Sequence, residues 1–312
     1  MAIFKIVHIT KYKYNWPIKE SINEARLFPH NFDNQDILDY QLFISQNPEV
    51  KYFKDYYGNS VANFNNLESH EEMTVEVRML VRVNHSLKIP NFDTITVQDL
   101  AEEKNKNMSL LRLCYPETIL KQNEIEDILT KINPNNKPIV EIAQLCNQYI
   151  FNNFTYTKGI TNIETTIDEI LKIKKGVCQD FALVLLQLLR TIGIPSRYVS
   201  GYICPNESGL RGEGATHAWV EIYTPNQGWL GLDPTNNIWT MDNHVKLAVG
   251  RNFHDCTPIK GTFKGLARQT LSVCVSIGYE DGRHYEEIND VQLQEITHEI
   301  NEQISFIEQQ QQ

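Results

Sequence analysis

The chain has 312 residues, enough for about two domains of roughly 150 residues that each bury a core. It carries 29 Lys and Arg residues against 39 Asp and Glu residues, and the formal net charge of −10 disfavours nucleic acid as a partner. A hydrophobic content of 41% excludes disorder along the whole chain. The longest apolar run, residues 181–186, is far too short for a membrane span, so no membrane partner is expected.

The N-terminal segment and the cysteines predict a cytoplasmic protein. Residues 1–7 show no basic segment followed by an apolar stretch and a small-residue cleavage site. The six cysteines include no Cys-x-x-Cys pair and are expected to be reduced thiols, any one of which could be a reagent. They are Cys114, Cys146, Cys178, Cys204, Cys256 and Cys274.

Residues 1–90 have the pattern of an N-terminal β domain. Polar and apolar residues alternate through residues 73–83, as in a half-buried strand. Gly58 and Asn59 suit the positive φ angles of a tight turn. Several short strands of this kind predict an antiparallel, sandwich-like domain.

The pattern changes after this domain. Residues 91–137 have helical spacing and are interpreted as a connecting segment, which ends at a Pro- and Asn-rich break, residues 133–138. Pro138 is expected to open a helix and the second domain, residues 138–280. Residues 281–312 are predicted to be a polar tail.

The most informative stretch is residues 174–195. Good helix formers begin at Cys178, and Gly193 followed by Pro195 is typical of a helix end. This helix is apolar nearly all round, which predicts burial at the centre of its domain. Cys178 therefore stands at the N-terminus of a central helix.

A helix N-terminus favours the thiolate, which is the nucleophilic form of cysteine. Asp180, in the first turn, opposes a neighbouring thiolate by its charge, and the sequence alone leaves this competition open. The alternative interpretation of Cys178 is a small, inert apolar residue at a helix start.

Residues 215–223 and 229–233 both alternate and flank a five-residue turn, which indicates a β-hairpin. Two registers keep the apolar residues on one face. One places Tyr223 opposite Trp229 and Asp233 diagonal to His217, and the other places Asp233 directly opposite His217. Both put His217 and Asp233 on the same face, about 4.5–8 Å apart. The alternative for this couple is an ordinary solvated pair.

A thiol, an imidazole and a carboxylate in these positions form the thiol analogue of a Ser-His-Asp triad. A zinc site is the other interpretation, and Cys256 with His254 would have to complete it. Structural zinc sites need four protein ligands and usually paired cysteines, so neither a metal nor another cofactor is expected.

Three segments resemble the core of the transglutaminase-like superfamily: Gly176-Val-Cys-Gln-Asp-Phe-Ala182, Thr216-His-Ala-Trp-Val220 and Gly231-Leu-Asp-Pro-Thr235. Residues 8–14, 26–29 and 55–59 are similar to the extra N-terminal β domain of bacterial members. Residues 249–255, with Pro258 and Gly261, are similar to the segment after the core. The resemblance implies an α+β protein. Its β domain precedes a papain-like core in which a central helix packs on an antiparallel sheet.

The resemblance also implies roles for the site residues. Cys178 is the nucleophile, His217 the general base and then acid, and Asp233 the carboxylate that orients the imidazole. The backbone N–H of Cys178 is the first expected oxyanion donor. Tyr156 is a candidate second donor, since other branches of the superfamily use an aromatic donor there, although it could be a packed strand residue.

The resulting hypothesis is a thiol-dependent enzyme that cleaves amide or isopeptide bonds in a peptide or protein substrate. A protein-glutamine–amine transglutaminase uses the same triad and is the first alternative. A catalytically silent binding module of the same fold is the second. The sequence leaves the substrate and the oligomeric state open.

Overall fold

The computed structural model describes residues 2–29, 35–84, 94–204, 209–212, 214–279 and 284–289, the last segment by its backbone alone. The described helices are α1 (Leu100–Lys106), α2 (Met108–Arg112), α3 (Gln122–Ile132), α4 (Ile139–Asn153), α5 (Ile167–Ile173) and α6 (Cys178–Thr191). The described strands are β1 (Ala2–Phe28), β2 (Gln35–Ile44), β3 (Val50–Lys54), β4 (Ser60–Asn66), β5 (His70–Val83), β6 (Thr155–Tyr156), β7 (Lys175–Gly176), β8 (Ser196–Ile203), β9 (Thr216–Thr224), β10 (Gly228–Asp233), β11 (Ile238–Trp239), β12 (His244–Gly250), β13 (Ile259–Lys264), β14 (Gln269–Tyr279) and β15 (His284–Asn289).

The N-terminal domain is built around one long strand. The first half of β1 pairs antiparallel with β5 and β14, and its second half pairs with β4 and β13. The strand changes partners where the register shifts between Lys13 and Ile18, and the exposed Pro17 lies within this irregular stretch. The expectation of several short strands is therefore wrong for β1, whose 27 residues join both halves of a curled antiparallel sheet.

The C-terminal strands return to this domain. β13 and β14 pair with β1, and β15 pairs with β14. The predicted boundaries, residues 138–280 for the core with the strand after it and residues 281–312 for a polar tail, stay predictions, and residues 290–312 lie outside the described residues. β14 packs on the N-terminal domain because its Val275 and Ile277 bury their side chains in the apolar core of the N-terminal sheet.

The second domain contains an antiparallel sheet in the order β11-β10-β9-β8-β12, with α6 packed on one face. α6 ends at Thr191, and Gly193 follows with a φ of +81°, as its sequence predicts. Leu185 and Leu188 on this helix share a buried cluster with Val220 of β9. Each fully buried leucine contributes about 1.5–3 kcal/mol, so this face fixes the helix on the sheet.

The β9–β10 hairpin has one of the two predicted registers. Tyr223 lies opposite Trp229, and Leu232 lies opposite Val220. This register places Asp233 diagonal to His217, on the face of the sheet that also carries Trp219. That face is buried too: Val199, Trp219 and Val249 form a small apolar cluster on it, and Tyr57 of the N-terminal domain packs against this cluster. In the described part of the chain, no helix is long and apolar enough to cross a lipid bilayer.

Glu221 anchors a buried ion-pair group on the covered face. Its carboxylate accepts hydrogen bonds from Arg197 at 2.7 Å and pairs with Lys246. Burial disfavours the charged form, but Lys246 and Arg197 outweigh it and lower the pKa of Glu221 to about 2. The contribution of Glu221 to stability is therefore present above its ordinary value of 4.5 and is lost as the pH falls towards 2.

We predict that Glu221→Gln lowers the free energy of unfolding by about 3–5 kcal/mol at pH 7, since it leaves two cations buried without their partner. Urea unfolding measures the change. Glu76→Gln is the matched control, because Glu76 pairs with Arg78 on an exposed part of the N-terminal sheet and should cost at most about 1 kcal/mol. Equal stabilities for Glu221→Gln and the unsubstituted protein would contradict this assignment.

Candidate active site

The nucleophile candidate is held by a compact turn. Cys178 is the first residue of α6, and Asp180 turns its carboxylate back to accept the backbone N–H of Val177 at 2.7 Å. The hydroxyl of Thr161 donates to the same oxygen at 2.6 Å. A Cβ on Gly176 would lie 2.4 Å from that oxygen, so the close packing requires glycine there.

These contacts answer the question that the sequence left open about Asp180. Its carboxylate accepts hydrogen bonds from the N–H of Val177 and the hydroxyl of Thr161, both of which lie before the helix. Burial is the largest influence on this carboxyl and raises the pKa of Asp180. Asp180 thus caps the helix that presents Cys178.

The six cysteines differ in accessibility. All six are free thiols, and four of them are buried. Cys178 and Cys274 are partly exposed, and Cys274 lies on β14 in the N-terminal sheet. Cys178 is therefore the partly exposed thiol at the N-terminus of the central helix.

His217 and Asp233 meet across the hairpin. The Nε2 atom of His217 lies 3.0 Å from Oδ2 of Asp233, and both side chains are fully enclosed. The backbone N–H of Thr235 donates to Oδ1 of Asp233 at 2.8 Å, and the amide of Asn236 donates to Oδ2 at 2.7 Å. The carboxylate is thus held by three donors, in keeping with its full burial.

This arrangement favours the charged forms of both groups. Burial lowers the pKa of His217, but the carboxylate of Asp233 and then Cys178 outweigh it and raise that pKa to about 10. Burial likewise opposes ionisation of Asp233, yet His217 and then His244 hold its pKa far below the usual range. His217 and Asp233 therefore form an imidazolium–carboxylate pair at neutral pH.

The other ring nitrogen of His217 is available for chemistry. Nδ1 is buried and has no hydrogen-bond partner among the residues that the structure describes, and Cys178 is close enough to raise the pKa of the ring. Gly212 closes the same side, since a Cβ there would lie 2.9 Å from Nδ1. With Nε2 engaged by Asp233, Nδ1 is the nitrogen that can exchange a proton with the Cys178 sulfur.

Sequence reasoning missed a second histidine. Nε2 of His244, on β12, lies 3.6 Å from Oδ2 of Asp233, and its ring contacts that of Trp219 edge-on at 5.3 Å between centroids. Burial lowers the pKa of His244, which favours a neutral ring. It belongs to the site because β12 joins the sheet beside β8, and no local motif in the sequence indicates that pairing.

Tyr156 lies on β6, which pairs parallel with β7 just before Cys178. Its ring packs edge-on against Phe181 of α6, with centroids 6.4 Å apart. The backbone N–H of Cys178 lies at the start of α6, where helical N–H groups lack intrahelical partners. The role of Tyr156 as a second oxyanion donor stays a prediction.

The zinc interpretation fits the structure poorly. Cys256 is buried and directs its thiol towards the carbonyl of Tyr198 at 3.9 Å, in the short 3₁₀ helix Phe253–Cys256. Across the residues that the structure describes, no group of three or more His, Cys, Asp or Glu side chains is arranged to hold a metal ion.

The site can thus carry out nucleophilic chemistry at a thiol. A partly exposed cysteine begins a buried helix, and a histidine fixed by a carboxylate acts on it. This combination is the general arrangement for acyl transfer through a covalent thioester.

The comparisons with known proteins agree with this class. Residues 126–234 match the transglutaminase-like superfamily, and residues 4–82 match the bacterial transglutaminase-like N-terminal region. An uncharacterized protein of Mycobacterium leprae is 31% identical over 279 residues, covering 88% of this chain and 97% of that protein. The chain belongs to the transglutaminase-like superfamily.

Two other similarities bear on fold and chemistry. The crystal structure of a protein from Cytophaga hutchinsonii, described as a putative cysteine protease, aligns with a TM-score of 0.71 at 20% identity. It covers 94% of this chain and 96% of its own, and so shows the same two-part fold. A protein-glutamine gamma-glutamyltransferase of Pseudomonas aeruginosa is 33% identical over 109 residues, which are 33% of this chain and 16% of that protein.

We predict that Gly212→Ala slows the alkylation of Cys178 by iodoacetamide about tenfold or more at pH 7. A methyl group 2.9 Å from Nδ1 must displace His217, and an adjacent imidazolium is what favours the reactive thiolate. The rate is measured by mass spectrometry in a Cys274→Ser background, because Cys274 is also partly exposed.

Gly209→Ala is the matched control for this substitution. Gly209 also has a positive φ, +64° against +84° for Gly212, but no atom of the described part of the chain lies within 4 Å of its Cβ position. Both variants carry the backbone strain, and only Gly212→Ala carries the clash. Equal alkylation rates in the two variants would contradict the contact between Gly212 and His217.

Proposed function

We propose that the protein is a thiol-dependent acyl-transfer enzyme that hydrolyses amide or isopeptide bonds in peptides or proteins. The observation that carries the proposal is the enclosed His217–Asp233 pair, with Nε2 and Oδ2 3.0 Å apart, acting on the partly exposed Cys178. An inert cysteine at a helix start would not need a buried imidazolium beside it.

The reaction begins with attack of the Cys178 thiolate on the substrate carbonyl carbon. The resulting oxyanion accepts a hydrogen bond from the backbone N–H of Cys178, with Tyr156 as the candidate second donor. Imidazolium His217 then donates the proton on Nδ1 to the leaving amine, and the C–N bond breaks. The products of this step are the free amine, a thioester on Cys178 and a neutral His217.

Water resolves the thioester. Neutral His217 accepts a proton from water at Nδ1, and the hydroxide attacks the thioester carbonyl. The C–S bond breaks to give a carboxylic acid and the Cys178 thiolate, with His217 protonated again. Asp233 stays ionised throughout and stabilises each imidazolium that forms, as the carboxylate does in serine hydrolases.

Amine transfer is the second candidate reaction. The match to a protein-glutamine gamma-glutamyltransferase over 109 residues favours it, and an amine in place of water would give a cross-link. The third possibility is a binding module without turnover. The hydrogen-bonded His217–Asp233 pair and the accessible Cys178 weigh against a degenerate site.

We predict that the protein releases free amines from a quenched-fluorescent peptide library and that Cys178→Ala abolishes this release. In a Cys274→Ser background, the same substitution should abolish iodoacetamide labelling at near-neutral pH. Labelling that survives in the Cys178→Ala protein would refute the assignment of the nucleophile. Incorporation of a fluorescent amine into casein in the absence of peptide hydrolysis would favour the transglutaminase instead, and no turnover in either assay would favour the binding module.

We predict a bell-shaped dependence of kcat/KM on pH, with an alkaline limb above pH 8. The leaving amine needs the proton of His217, whose pKa is raised to about 10, so activity falls as that proton is lost. Stopped-assay rates between pH 4 and pH 11 measure both limbs. A limb that falls near pH 6.5 would show that Asp233 does not stabilise the imidazolium.

A further inference from the structure

The side chain of Asn236 makes hydrogen bonds that are not required to form the turn in which it lies. The turn after β10 already closes without its side chain, because Oδ1 of Asp233 accepts the backbone N–H of Thr235 at 2.8 Å. The amide nitrogen of Asn236 instead donates to Oδ2 of Asp233 at 2.7 Å. This is the same carboxylate oxygen that receives Nε2 of His217.

The side chain of Asn236 also holds a second segment. Its Oδ1 accepts the backbone N–H of Arg211 at 2.8 Å, and its Nδ2 donates to the carbonyl of Arg211 at 3.1 Å. The guanidinium of Arg211 stacks over Phe151 of α4 at 5.0 Å and reaches the carbonyl of Thr235. Arg211 is thus fixed against both the turn and the helix.

The next residue covers the catalytic ring. Gly212 packs so closely on His217 that a Cβ would lie 2.9 Å from Nδ1. One amide therefore connects the carboxylate bound to Nε2 with the backbone that covers Nδ1. His217 is held between these two groups.

We propose that Asn236 is a positioning residue for the His217 ring. It holds Oδ2 of Asp233 beside Nε2 of the ring and the Arg211–Gly212 backbone beside Nδ1. This inference rests on the proposed function for its catalytic meaning. It goes beyond the Cys-His-Asp triad because Asn236 touches neither the nucleophile nor, in the mechanism above, the reacting atoms. It acts through Asp233 and through Gly212.

Two substitutions test the hydrogen bonds of Asn236 to Asp233 and to Arg211. Asn236→Ala removes both. Asn236→Asp keeps an acceptor for the backbone N–H of Arg211 but has no donor for Asp233 and adds a second negative charge beside it. Asn236 is partly exposed in a loop, so both variants are expected to fold.

We expect each variant to lower kcat about tenfold with KM unchanged, the size expected for the loss of one hydrogen bond to an ionised group. We expect the alkylation rate of Cys178 to fall by a similar factor at pH 7. The Nε2 proton of His217, observed by NMR, should exchange with solvent faster in both variants. These readouts report on the ring and would not change if Asn236 only stabilised the fold.

Asn252→Ala is the matched control. Asn252 accepts the backbone N–H of His254 at 3.1 Å and donates to Glu117, so it fixes a loop by the same amide chemistry without a contact to the triad. It should change the melting temperature alone. Wild-type alkylation and proton exchange in Asn236→Asp would overturn the proposal, even if its melting temperature falls.

The alkylation and NMR readouts need no substrate. If the unsubstituted protein cleaves no peptide, the proposed function fails, while these two measurements still decide the role of Asn236. If peptides are cleaved and the Asn236 variants match the unsubstituted protein in all three readouts, the role of Asn236 fails and the proposed function stands.

Discussion

The hydrogen bond between His217 and Asp233 is the interaction on which the rest of the site depends. Both groups are fully enclosed, and burying a charged pair costs free energy unless its remaining hydrogen-bonding capacity is used. The backbone N–H of Thr235 and the amide of Asn236 supply that capacity at the carboxylate. The imidazolium is consequently stabilised beside Cys178, on which it acts.

The two-domain architecture explains how this pair stays enclosed. The core sheet presents His217 on the face that also carries Trp219, where a two-stranded hairpin alone would leave it in water. The N-terminal domain covers part of that face: Tyr57 packs against Trp219 and its neighbours Val199 and Val249, and Asn59 bonds the backbone of Val249 through both its amide atoms. The N-terminal domain thus helps to keep water away from this face of the sheet.

The sequence predicts those parts of the site that depend on local periodicity and burial. The start of α6 at Cys178 and its end before Gly193 follow from helix formers and a terminating glycine, and the apolar pattern limits the hairpin to two registers, one of which the structure has. The long β1 strand and the return of β14 to it depend on pairing between residues more than 250 positions apart, such as Lys11 with Ser272. His244 reaches the site through the pairing of β12 with β8, and Gly212 reaches it through loop packing, for which no local pattern exists.

The central claim is that His217 carries a positive charge at neutral pH because Asp233 holds it. The most direct measurement is a ¹⁵N NMR titration of the histidine side chains in the unsubstituted protein, with His217 assigned from a His217→Gln spectrum. The account predicts that both ring nitrogens of His217 remain protonated from pH 6 to pH 8. A His217 ring that is neutral at pH 7 would contradict it.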